Sequence, residues 1–94
     1  MILEKNLQAK LIKLLKQSGF FVRKISGENS KGLPDILIAG YGVVQFVEVK
    51  TPTGRLSKLQ SHTIGEMQDA GAKVEVWNSV EQCTDFIRRT RGSS

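Results

Sequence analysis

The chain has 94 residues, of which 39% are hydrophobic, and this length fits one small domain spanning 1–94, burying only about 60–65% of its unfolded surface. One cysteine, Cys83, excludes an internal disulfide and fits a reducing compartment. The net charge of +5 is one-sided, since residues 1–34 hold seven basic and two acidic side chains while residues 35–94 hold seven of each.

A basic excess confined to one third of a small domain points to an anionic partner, nucleic acid first. No apolar run approaches the roughly 20 residues of a membrane span. Glu4 and Lys5 follow Met1-Ile2-Leu3 directly, so no secretory signal is expected. The expectation is an intracellular protein that does not enter a membrane.

Leu3, Leu7, Leu11, Leu14 and Leu15 recur at helical spacing, with lysines on the other side. They predict a first helix over about 3–18, ended by Gly19. Residues 20–25 are aromatic and β-branched and predict a strand. Residues 26–32 are polar and contain glycine, hence a loop. Two apolar runs, 36–39 and 43–50, flank a Gly40-Tyr41-Gly42 turn and predict a hairpin. Pro34 precedes the first run, where a missing N–H matters least. Thr51-Pro52-Thr53-Gly54 ends the second.

Ser57-Lys58-Leu59-Gln60 is a capping box opening a second helix that runs to about 70, with Gly71 as its stop. Residues 73–77 alternate and predict a fourth strand. Ser79-Val80-Glu81-Gln82 opens a short third helix. A basic, flexible tail is expected from about 88. The order is α-β-β-β-α-β-α, an α/β fold whose mixed four-stranded sheet is flanked by helices.

The chemistry concentrates in the stretch 32–50. If the two runs form a hairpin, Asp35 at the start of one lies beside Glu48 and Lys50 at the end of the other. Val44, Phe46, Glu48 and Lys50 share one face by the strand period of two. Hydrolysing a phosphodiester requires charge neutralisation, an activated water and a stabilised leaving oxygen, and a hard divalent cation supplies all three. Mg²⁺ takes oxygen ligands, typically one or two carboxylates with waters and phosphate oxygens. Asp35, Glu48 and the Val49 carbonyl offer such oxygens. Lys50 is placed to reach the attacking water or the phosphate, as a base or as a charge stabiliser.

Pro34-Asp35, twelve intervening residues and Glu48-Val49-Lys50 resemble the PD-(D/E)XK nuclease motif. With Gly32-Leu33 before it, and Gly54-Arg55-Leu56-Ser57, Gln60, Gly71 and the 74–77 strand after it, the chain resembles the VRR-NUC (virus-type replication-repair nuclease) family over nearly its whole length. The resemblance implies a restriction-endonuclease-like αβββαβ core and an endodeoxyribonuclease that uses Mg²⁺ or Mn²⁺. It implies metal ligation by Asp35, Glu48, the Val49 carbonyl and Glu4, with Lys50 as the catalytic lysine and Gln60 supporting the site. It also implies a 5′-phosphate and a 3′-hydroxyl product, branched DNA such as a Holliday junction as substrate, a homodimer, and the stand-alone form typical of bacteriophages.

Each residue also has a plainer reading. Asp35 after proline can be a turn residue. Gln60 is already the capping-box partner of Ser57, so the two roles are expected to compete for one amide. Glu4 is an acid favoured in a helix first turn. His62 sits across the helix from Gln60 and reads as surface. Cys83 reads as core, and Trp77 as an anchor of the fourth strand. A non-catalytic nucleic-acid binding domain and a subunit that needs a partner are the alternative functional classes.

Overall fold

The computed structural model describes residues 3–25 and 30–92. Its elements are α1 (Glu4–Gln17), β1 (Phe21–Lys24), β2 (Ile36–Gly40), β3 (Val43–Val49), α2 (Lys58–Asp69), β4 (Val74–Trp77) and α3 (Val80–Arg91). The α-β-β-β-α-β-α order is the one expected. The middle of the expected loop, 26–29, lies outside the described residues.

The strands lie in the order β1-β2-β3-β4. β1, β2 and β3 form an antiparallel meander, and β4 runs parallel to β3. A parallel neighbour needs a crossover, and α2 supplies it. Tyr41 and Gly42 at the β2–β3 turn both have positive φ, +52° and +81°, which matches the twist of a two-residue hairpin. Tyr41 tolerates that conformation because its hydroxyl donates to the Ser18 carbonyl at 2.6 Å and its ring packs edge-on against Phe20.

One face of the sheet carries the core. Leu7, Leu11 and Leu15 of α1 pack there with Val22, Ile36, Ile38, Val47, Val49 and Trp77 of the strands and Cys83 and Phe86 of α3. α2 lies on the opposite face, where Ile64 and Val74 are buried outside that cluster. The second face is only partly covered. Phe21, Val44 and Val76 remain between one third and three fifths exposed there.

Both sheet edges are chemically blunted. On β4 the outward carbonyls of Val74 and Val76 accept from the Gln68 and Gln82 amides. On β1 the outward Val22 carbonyl accepts from the Arg23 guanidinium. Occupied edge carbonyls discourage extension of the sheet by another strand.

The structure corrects the expected tail. α3 continues through Arg91, and Thr90 is buried. The arginines stay helical because cations suit a helix C-terminus and because they have partners on the fold. Arg89 pairs with Glu75 and lies over the Phe86 ring, and Arg91 lies over the Tyr41 ring. The face alternation of β3 also carries one polar residue unforeseen in the sequence. Gln45 points into the core side at 3% exposure, its amide donating to the Phe46 carbonyl. Among the described residues, no helix is long and apolar enough to cross a membrane.

Candidate active site

The site forms where β2 begins and β3 ends. Ile36 pairs with Val47, so continuing the antiparallel register by two residues sets Pro34 opposite Val49. Proline has no N–H to donate, and the ladder therefore leaves the Val49 carbonyl without a strand donor. The Val49 N–H turns instead to the Asp35 side chain, donating to Oδ2 at 2.8 Å. That bond fixes the Asp35 carboxylate at the sheet end. Gly32, at φ +82°, lets the preceding loop lie against α2, since a Cβ there would fall 2.6 Å from the Thr63 hydroxyl and 2.9 Å from Leu59 Cγ.

Glu48 points to the α2 side of the sheet and is fully buried. Its Oε2 accepts from the Gln60 amide at 2.9 Å and lies 3.4 Å from Lys50 Nζ. Its Oε1 is buried with no partner. A buried carboxylate left half-satisfied is costly, and burial, with the nearby Asp35 charge adding to it, raises its pKa to about 7 against the pull of Lys50. Lys50 also reaches Glu4 Oε1 at 3.9 Å. α1 thus brings a third carboxylate to the site from the core side of the sheet, while α2 brings Gln60 from the other.

The structure brings together all the residues that the sequence singled out here. Ligand oxygens of Glu4, Asp35 and Glu48 lie within 4.8 Å of one another. Three clustered carboxylates, one of them with a buried oxygen lacking a partner, fit a hard divalent cation, which takes oxygen donors and offsets the charge crowding. Lys50, 15% exposed, closes one side of the cluster.

The expected competition for Gln60 does not occur. Its Oε1 accepts from the Ser57 N–H at 2.9 Å while its Nε2 donates to Glu48. The capping box therefore aims the amide instead of diverting it. His62 pairs with Glu66 on the exposed surface of α2, as read. Trp77 is buried against Phe86 and donates to Glu75. Cys83 is fully buried, and burial pushes its thiol up to about 11.

Glu48 predicts a specific pH dependence. Its folded pKa of about 7 exceeds the ordinary 4.5. The folded state therefore holds this proton more tightly, and stability falls as pH rises from about 4.5 to about 7. In urea unfolding with chelator present, Glu48→Gln should abolish that loss. At pH 8 the variant should be more stable than the native chain by about 1–3 kcal/mol. A variant less stable than the native chain at pH 8 contradicts this electrostatic picture.

A family model described as VRR-NUC domain matches residues 3–81. A solved structure described as a VRR_NUC domain is 31% identical to this chain with a TM-score of 0.79, covering 90% of this chain and 94% of its own. No curated protein matches. With the family model spanning most of its length, the chain belongs to the VRR-NUC domain family, a nuclease-type family.

Proposed function

We propose that this protein is a metal-dependent DNA endonuclease of the PD-(D/E)XK type, selective for branched DNA such as a four-way junction. The observation that carries the reading is the buried Glu48 carboxylate, one of a cluster of three, with its Oε1 unpartnered and its Oε2 beside Lys50. Glu4, Asp35, Glu48 and the Val49 carbonyl would hold Mg²⁺ or Mn²⁺. Bound there, the cation would neutralise phosphate charge, activate a water and stabilise the leaving oxygen.

The chain's own groups supply the rest. The Val49 N–H holds Asp35 in place, and Gln60 holds Glu48. Lys50 presents an ammonium at the edge of the carboxylates, where it can contact the scissile phosphate or the attacking water. Gln60 is a positioning residue, because it acts through Glu48. Buried, free Cys83 supports a reducing intracellular compartment.

A homodimer is the assembly we infer, formed across the open sheet face. Phe21, Val44 and Val76 lie exposed on that face, and the blunted edges leave the face, not an edge, for self-association. Two copies would present two sites to two strands of a junction.

Labelled four-way junctions incubated with Mg²⁺ or Mn²⁺ test the activity. The native chain should cut them, and chelator should stop it. Asp35→Asn and Lys50→Ala should each lower the rate by at least about 100-fold, and Gln60→Ala by about 10–100-fold. Binding without cleavage by the native chain would instead favour a non-catalytic binding domain.

Sedimentation tests the assembly. The native chain should run as a dimer and Val44→Glu, which puts a charge on the open face, as a monomer. A native chain that stays monomeric at high concentration counts against the dimer.

A further inference from the structure

Four of the seven basic residues in the first third of the chain lie on α1. Lys10, Lys13 and Lys16 are exposed on α1, opposite the buried Leu7, Leu11 and Leu15. Lys5 is exposed on the same side, one residue from Glu4. Among the described residues, no carboxylate lies within ion-pair distance of Lys5, Lys10, Lys13 or Lys16. Lys16 suits the C-terminal turn of α1, but like charges at Lys10, Lys13 and Lys16, each one turn from the next, repel and weaken a helix. The α3 arginines differ, since Arg88 pairs with Asp85 and Arg89 with Glu75.

The row has a direction. It begins beside the carboxylate that α1 contributes to the site and runs away from it. At 1.5 Å per residue, Lys5 to Lys16 spans about 16 Å. Duplex DNA presents roughly one phosphate charge per 1.7 Å of its axis, so a row of this length faces several phosphates. A membrane surface fits poorly. An interfacial helix needs its apolar face free to enter the lipid, and the leucine face of α1 is buried in the core.

We propose that the outer face of α1 is a second DNA-binding surface, which holds the phosphate backbone of the duplex arm flanking the cut. The proposal rests on the nuclease reading for its substrate class and extends it to a surface outside the carboxylate cluster. The surface is sequence-independent, since ammonium groups along a helix meet phosphates and not base edges. It gives the enzyme hold on an arm beyond the scissile bond, with the arm directed along α1.

The test measures binding of the full-length chain to a duplex of about 20 base pairs in chelator, across a salt series, by fluorescence anisotropy. Each lysine–phosphate contact contributes about 0.9 to the slope of log affinity against log salt. The variant Lys10→Gln/Lys13→Gln/Lys16→Gln should lose about 2–3 from that slope and at least tenfold in affinity at about 0.1 M salt. A control, Lys73→Gln/Arg88→Gln, should leave the slope unchanged to within about half a unit. Exposed lysines are not needed for packing, and circular dichroism should show the triple variant folded. An unchanged slope in the triple variant, or an equal drop in the control, overturns the proposal. So does loss of binding to phosphatidylserine vesicles with DNA binding intact. Because the assay uses no metal, a native chain that cuts nothing would defeat the nuclease reading while this slope stayed measurable.

Discussion

A fully buried carboxylate is the constraint on which this structure turns. Glu48 is fully buried, and only one of its oxygens is satisfied. Such a group is tolerated where cations and donors surround it. Lys50 and Gln60 supply part of that surrounding, and ligand oxygens of two further carboxylates lie within 4.8 Å. The arrangement is poor for stability and well suited to a divalent cation. Binding sites commonly hold charge in this unfavourable way, and lose stability for it.

Four elements meet to create that condition. β3 ends between an antiparallel and a parallel neighbour, so its terminus is held from both sides. β2 begins with a proline that cannot complete the ladder, which leaves the Val49 carbonyl without a strand donor, while the Val49 N–H holds Asp35. α1 reaches the site from the core face and α2 from the open face. The capping box of α2 decides where the Gln60 amide points. One side chain thus both starts a helix and fixes a carboxylate. The site sits at one end of the sheet. The remainder of the open face and the outer side of α1 are the surfaces proposed for assembly and for DNA.

Much of this was legible in the sequence because short-range patterns controlled it. The period of two put Glu48 and Lys50 on one face, and the glycine-flanked turn brought Asp35 beside them. The two Ser-x-x-Gln boxes marked helix starts that the structure bears out. What was not legible depended on tertiary geometry. An amide has a donor end and an acceptor end, and only the path of α2 shows that Gln60 uses both. The run Arg88–Arg91 reads as a tail until Glu75, Phe86 and Tyr41 are seen beside it. Gln45 broke no pattern, because alternation does not reveal which face of a strand holds the core. The basic excess was countable from the sequence, but the place of its α1 lysines relative to the carboxylate cluster follows from where α1 packs.

The central claim is that the three carboxylates form a divalent-cation site. A crystal grown with Mn²⁺ and measured where manganese scatters anomalously tests this most directly. The account predicts an anomalous peak bounded by Glu4, Asp35 and Glu48, with Glu48 Oε1 among the ligands. No peak there at saturating Mn²⁺, or a peak only at a different part of the surface, would contradict it.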